Sequence, residues 1–158
     1  MDFLILKWIH ILSAILMFGT GLGSAFYKYF TDRSGNLAAI AVTNRLVVWA
    51  DWIFTTPTVL IQPLTGFWML QLLGVPLDQQ WLWISVGLYV IAGACWLPVV
   101  VLQIRMRDEA EHCIRSNSRL SPRYYRSMRY WFWLGVPAFV AMLLVTWLMV
   151  GRPLWAIF

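Results

Sequence analysis

The residue best suited to chemistry is His10, which stands inside a long apolar stretch of the chain. A neutral imidazole is a good ligand for haem iron, copper or zinc. A histidine buried in such a stretch can also serve packing alone, held by a hydrogen bond to a polar neighbour. Both interpretations stay open, and His112, the other histidine, falls in a distant charged segment where it cannot supply a second ligand to the same metal.

Five polar residues recur with helical spacing in a second apolar stretch. They are Asp51, Thr55, Thr58, Gln62 and Thr65, separated by four, three, four and three positions. This spacing predicts that all five lie on one face of a helix, which points into the protein. The face could line a cavity or a proton path. The alternative is a structural role, in which these side chains form hydrogen bonds between helices.

Asp51 carries the one acidic group in this polar stripe. One interpretation is a carboxylate that carries protons. The other is a structural ion pair with an arginine near the same end of the helix, namely Arg45, Arg105 or Arg129, since an isolated carboxylate is costly to bury. The sequence shows no nucleophile–base pair, paired carboxylates or phosphate-binding loop, so a redox or binding role is favoured over hydrolysis or phosphoryl transfer.

The elements that position these residues are membrane helices. Hydrophobic residues make up 61% of the 158 residues and charged residues only 12%, where a soluble domain averages about 25% charged residues. We predict an all-α, integral membrane four-helix bundle in a single domain, residues 1–158. The predicted spans meet the length of about 20 residues that a bilayer requires, and they are residues 3–27, 46–73, 81–104 and 130–150.

The second helical stretch, residues 37–73, is too long for one upright span, and we expect its first part to extend beyond the membrane. Pro57 and Pro63 should kink it. The depth of the residues within the spans also predicts neighbours for His10. Gln62, Thr65 and Tyr89 should lie at its level and complete a cofactor-binding group, or hold His10 by hydrogen bonds if its role is packing.

The positive charges predict the orientation of the bundle. The connection 28–45 contains Lys28, Arg33 and Arg45, and the connection 105–129 contains seven arginines. These connections should be cytoplasmic, with both termini on the outer, periplasmic side of a bacterial inner membrane. Because the arginines lie between hydrophobic spans, we expect a lipid bilayer as the partner and no nucleic acid.

Two further contacts are predicted. Gly19 and Gly23 are four positions apart, a spacing of small residues that permits close helix packing within the chain or in a homodimer. The arginine-rich connection 105–129 could bind a partner protein. Met17, Met69, Met142 and Met149 are candidate thioether ligands for a metal, although methionine more often fills gaps in packing.

The sequence resembles the DUF2269 family of predicted bacterial integral membrane proteins along nearly its whole length. The matching stretches read KWIHILS, FGTGLG, ADW, QPLTG, LPVV and QIRMRD, at residues 7–13, 18–23, 50–52, 62–66, 97–100 and 103–108. The resemblance implies a multi-pass protein of a bacterial inner membrane. It implies no activity.

A more distant similarity links the opening Lys7-x-x-His10 to HemJ-type protoporphyrinogen oxidases and CopD-type copper proteins. The HemJ resemblance implies a four-helix protein that binds haem b through a first-helix histidine, here His10. HemJ-type proteins also use a lysine in the third helix, and this sequence has none between Trp81 and Ile104. Three hypotheses follow, in order: a haem-b-binding redox protein, a non-enzymatic membrane helper or assembly factor, and a small transporter.

Overall fold

The computed structural model describes the backbone of residues 2–155 and the side chains of residues 2–151. Within this range the chain is helical apart from short turns, and no strand is present. The elements are α1 (Asp2–Ser34), α2 (Leu37–Ala50), a π-helical turn (Asp51–Thr55), α3 (Thr56–Leu72), α4 (Gln80–Arg115) and α5 (Pro122–Trp155).

Four helical rods have the length and apolar composition that a membrane span requires: α1, the combined α2–α3 rod, α4 and α5. Large apolar side chains cover their outer surfaces, and Trp8, Leu64, Trp133 and Trp147 are each more than 60% exposed. A bilayer, not water, suits such a surface. The structure thus confirms the prediction of an all-α, four-helix membrane protein.

Local backbone geometry sets where the rods end. Gly74 at φ +62° and Asn117 at φ +48° follow α3 and α4 in the left-handed region, which glycine and asparagine tolerate best. In each case the next N–H bonds back to the helix, from Val75 to the Leu70 carbonyl at 3.1 Å and from Ser118 to the Cys113 carbonyl at 3.0 Å. These bonds satisfy carbonyls that a helix end otherwise leaves without donors.

The helices extend beyond the predicted spans. α4 continues to Arg115 and α5 begins at Pro122, so the non-helical part of the third connection is only residues 116–121. The first connection reduces to Gly35 and Asn36, whose side-chain oxygen accepts a hydrogen bond from the Ala39 N–H at 3.2 Å and caps α2. The change from apolar to polar residues therefore shows where a helix leaves the apolar layer. The helix itself continues beyond that point.

The π turn has a local cause in Pro57. Proline lacks an N–H and its ring displaces the carbonyl four residues earlier, here that of Ile53. The backbone responds by widening, and the Thr56 N–H bonds to the Asp51 carbonyl five residues before it. Pro57 therefore stands just after a π turn, and the kinks predicted at Pro57 and Pro63 stay predictions.

The rods pack as two groups that share the main core at one end and a smaller cluster of Leu70, Trp81 and Leu82 at the other. α1 packs on α2 and α3, while α4 packs on α5 and α2. The main core lies where α2, α4 and α5 converge, around Ile40, Met106 and Tyr124. We call this end, which holds the turns 35–36 and 116–121, the arginine-rich end. α1 and α5 approach each other closely at few positions, and a space is left open in the middle of the bundle.

Candidate functional site: an intramembrane cavity

A cavity of about 360 Å³ lies in the middle of the bundle, bounded by α1, the π turn, α4 and α5. This volume falls within the range of small-molecule sites. Phe18 of α1 and Phe139 of α5 line it and touch edge to face, with ring centroids 5.6 Å apart. Phe132 of α5 also lines the cavity and contacts Tyr29 of α1, with ring centroids 5.9 Å apart, so aromatic side chains border the cavity on its α1–α5 side.

Small residues explain why space remains here. Gly21 of α1, Gly93 of α4 and Gly135 of α5 all line the cavity. A Cβ atom added at any of the three would meet no heavy atom within 4 Å. Glycine has only a hydrogen atom in place of a side chain. The three helices therefore leave the volume between these positions unfilled.

The acidic group of the cavity is Asp51, placed there by the π turn. Its Oδ2 accepts a hydrogen bond from Gln103 Nε2 at 2.7 Å, and its Oδ1 accepts one from Trp96 Nε1 at 3.3 Å. Gln103 in turn accepts from Trp131 Nε1 at 3.4 Å. Both carboxylate oxygens thus receive neutral N–H donors from α4, and Gln103 connects them to α5.

No arginine pairs with Asp51 among the described side chains, contrary to the sequence-based expectation of Arg45, Arg105 or Arg129. Arg45 instead donates to Glu111 at 2.9 Å, outside the cavity. The long arginine side chains can reach water and acidic groups at the end of the bundle, whereas Asp51 lies deeper. The carboxylate therefore has hydrogen-bond partners but no counter-ion in this part of the chain.

Four residues of the polar stripe, Thr55, Thr58, Gln62 and Thr65, are buried, but the stripe as a whole does not line one cavity. Asp51 and Thr55 line the cavity, whereas Thr58, Gln62 and Thr65 are buried further along α3. The burial of Thr55, Thr58, Gln62 and Thr65 agrees with a face that points into the protein, and a proton path along that face stays a prediction. Gln62 Nε2 donates to Ser13 Oγ and to the His10 carbonyl, both at 2.9 Å, and so joins α3 to α1.

His10 lies against α3, away from the cavity. Its Nδ1 is 2.7 Å from Thr65 Oγ1, and the Thr65 hydroxyl donates to the Ile61 carbonyl at 2.6 Å. Since that hydroxyl proton is used, Nδ1–H is the donor to Thr65, and Nε2 retains its lone pair. Gly66 lies beside the ring, where a Cβ would make an ordinary contact of 3.5 Å with His10 Cε1.

Tyr89, predicted as a neighbour of His10, has a different partner. Its hydroxyl donates to the carbonyl of Val59. Pro63 lies four residues after Val59 and has no N–H to offer this carbonyl. Tyr89 therefore supplies the hydrogen bond that the proline removes, and its ring lines the cavity beside Val59. Of the four predicted cofactor-binding residues, the structure brings His10, Gln62 and Thr65 together and separates Tyr89 from them.

A buried polar cluster that the sequence patterns did not predict lies at the arginine-rich end. Lys28 is fully buried, and its Nζ donates to Asp32 at 3.1 Å, Asn44 at 2.6 Å and Tyr124 at 3.2 Å. The Tyr124 hydroxyl donates to Asp32 at 2.9 Å. Lys28 was counted simply as a positive charge of the first connection. The i,i+4 spacing of Lys28 and Asp32 is the signal in the sequence that favours their pairing.

The candidate methionine ligands and the glycine pair Gly19 and Gly23 lie in different surroundings. Met17 and Met142 line the cavity. A Cβ at Gly19 or Gly23 would meet no heavy atom within 4 Å, so these glycines permit no close helix contact within the described chain. Their predicted role in a homodimer stays a prediction, as does the partner protein at the arginine-rich end.

The fold and the site together define a multi-pass integral membrane protein with a cavity among its helices. A family model described as predicted integral membrane protein (DUF2269) matches residues 4–153. The chain belongs to this family, as its sequence resemblance indicated. Comparison with curated proteins and with solved structures found no match. The more distant HemJ-type and CopD-type similarity therefore stays a prediction.

Proposed function

We propose that this protein binds a small, largely apolar molecule inside the membrane, in the cavity between α1, α4 and α5. The observation that carries the proposal is the cavity itself, about 360 Å³ in volume and walled mainly by apolar and aromatic side chains around one acidic group. Concave, mostly apolar sites with a few polar groups are the usual form of small-molecule sites. The small-transporter hypothesis requires an accessible pathway from Asp51 to Thr65, and the cavity supports it only at Asp51 and Thr55.

Photolabelling in lipid nanodiscs tests the proposal. A small neutral aryl diazirine should label cavity residues such as Trp96 and Phe139, and an excess of the non-reactive analogue should suppress that labelling. Lipid-facing residues such as Trp133 should be labelled without saturation. Peptide mass spectrometry separates the two classes, because only a bounded site can be saturated.

Two glycine variants of α4 provide the comparison. Gly93→Leu should fill the cavity and abolish the saturable labelling. Gly87→Leu is the matched control, since Gly87 is exposed and does not line the cavity. Labelling that is not suppressed by the analogue in the wild type, or that survives Gly93→Leu in a folded protein, would contradict the proposal.

A haem ligand role for His10 is the second candidate. The Nδ1–H to Thr65 hydrogen bond favours it, because metal-binding histidines commonly donate their second nitrogen to a fixed acceptor. His10 lines neither this cavity nor a smaller one of about 150 Å³ between α1 and α3. The imidazole therefore fits the ligand role, while a porphyrin would have to bind at the surface of α1 and α3. Haem supplies redox chemistry where it binds. A Soret band that disappears in His10→Ala supports this role, and a colourless protein after haem loading refutes it.

We further propose that the protein lies in a bacterial inner membrane with its arginine-rich end in the cytoplasm. The arginines at one end support a cytoplasmic location for that end, by the positive-inside rule. Cysteines introduced at exposed positions test this with a membrane-impermeant maleimide. Ser118→Cys should react only when the cytoplasmic side is accessible, and Asp78→Cys, exposed at the opposite end, should react in intact spheroplasts. The reverse pattern would overturn the orientation.

A further inference from the structure

We infer that the molecule bound in the cavity is a hydrophobic organic cation, held by Asp51 and the aromatic walls. This inference rests on the proposed function and names its ligand class. Asp51 is the one charged residue among the described residues that line the cavity. The net charge at this place in the bundle is therefore negative whenever the carboxylate is ionised, and a ligand with a positive charge complements it.

The hydrogen bonds of Asp51 suit the ionised carboxylate. Gln103 Nε2 and Trp96 Nε1 donate to different oxygens of the same group, so both oxygens act as acceptors. Neutral donors orient the carboxylate but do not cancel its charge. A buried charge is stable chiefly when it is paired. A bound cation would supply this missing partner.

A cation close to the cavity, Lys28, has partners elsewhere. Lys28 Nζ lies 5.8 Å from the centroid of the Trp131 ring, which lines the cavity. Its hydrogen bonds, however, go to Asp32, Asn44 and Tyr124, and its ion pair is with Asp32. Lys28 therefore does not neutralise Asp51, and the cavity keeps an acidic group without a counter-ion among the described side chains.

The walls of the cavity provide a second kind of recognition for a cation. Trp96 and Trp131 lie at the Asp51 end, and Phe18, Phe132 and Phe139 line the α1–α5 side. The faces of aromatic rings attract cations. The attraction is strongest for tryptophan, and it increases where water is excluded. An ammonium or phosphonium ion with apolar substituents would match both the carboxylate and these rings, whereas an anion would be repelled by Asp51.

Two ions of nearly equal shape and opposite charge test the inference. Tetraphenylphosphonium and tetraphenylborate are titrated separately into nanodiscs with the wild-type protein, and binding to protein-free nanodiscs is subtracted. Triphenylphosphine oxide serves as a neutral aromatic probe. We expect saturable binding of the phosphonium and none of the borate. Binding of the borate or the neutral probe as tight as that of the phosphonium overturns the cation inference, and so does a lack of saturable binding by all three.

Asp51→Asn isolates the charge. It keeps the size of the side chain and should weaken phosphonium binding by about tenfold or more, since a close charge pair contributes more than about 1.4 kcal/mol. Asp78→Asn, which removes an exposed acid from a loop, should leave binding unchanged. Unchanged binding in folded Asp51→Asn overturns the inference. If Asp51→Asn does not fold, the comparison of the two ions on the wild type still decides.

The two proposals fail separately. If the diazirine labels the cavity saturably but the phosphonium does not bind, the cavity binds another class of molecule and only the cation inference is wrong. If the labelling also fails to saturate, the binding function itself is wrong.

Discussion

The buried pair of Lys28 and Asp32 allows a prediction whose size follows from the structure. Lys28 is fully buried, the Asp32 side chain is 8% exposed, and Nζ lies 3.1 Å from Oδ2. With an effective dielectric constant of about 20, the attraction at this distance is about 5 kcal/mol. Asp32→Asn removes that attraction while it preserves shape, and it leaves the ammonium among neutral groups. We expect a loss of about 3–5 kcal/mol in the free energy of unfolding.

A double-mutant cycle separates the ion pair from simple damage to packing. Lys28→Met alone leaves the Asp32 carboxylate unpaired and should also destabilise the protein strongly. The double variant leaves no unpaired charge, so it should lose less stability than the sum of the two single losses. The assay is reversible unfolding in mixed micelles of a mild detergent and dodecyl sulfate, followed by circular dichroism.

The matched control for this cycle is Asp108→Asn. Asp108 pairs with Arg107 at 2.7 Å, but its side chain is 60% exposed, and such surface pairs contribute about 0–1 kcal/mol. The reasoning is refuted if Asp32→Asn costs no more than Asp108→Asn. It is also refuted if the losses from Lys28→Met and Asp32→Asn simply add.

The same unfolding assay checks three further predictions. Tyr89→Phe should cost about 1 kcal/mol of stability, because it removes the donor to the Val59 carbonyl. In the Pro63→Ala background the introduced alanine supplies an N–H to this carbonyl, so Tyr89→Phe should cost less there. An equal cost in both backgrounds would contradict the role given to the proline. Gly74→Ala should cost about 1–2 kcal/mol, because its φ of +62° is unfavourable for alanine, and an unchanged stability would refute this. Asn36→Ala should cost about 1 kcal/mol by removing the cap of α2, and Asn36→Ser should retain most of that stability.

The membrane fold could be predicted from the sequence because it depends on the average hydrophobicity of long continuous segments. Runs of more than about 18 apolar residues have few folded alternatives outside a bilayer. The candidate site was predicted less well. The group of His10, Gln62 and Thr65 followed from depth along straight helices, and the structure places these residues together. The predicted position of Tyr89 was wrong, because depth along the helices does not show which backbone carbonyl Pro63 leaves without a donor.

The cavity itself lay beyond the reach of sequence patterns. Gly21, Gly93 and Gly135 are far apart in the chain, and nothing in their local sequence shows that they face one another. The position of Asp51 depends equally on α4, because Gln103 and Trp96 become its partners only when the helices pack. The same holds for Lys28, whose partners Asn44 and Tyr124 come from two other helices.

The sequence by itself determined that this chain forms four apolar helices and that its positive charges gather at one end. Those properties are sums over neighbouring residues, and helical backbone bonds are local, so no tertiary information is needed. Only the tertiary structure decided which polar side chains meet, that Asp51 and Thr55 line the cavity while the rest of the polar stripe does not, and that Asp51 faces open space without a counter-ion among the described side chains. Such pairings depend on the relative rotation of packed helices, which a shift of one residue in register changes.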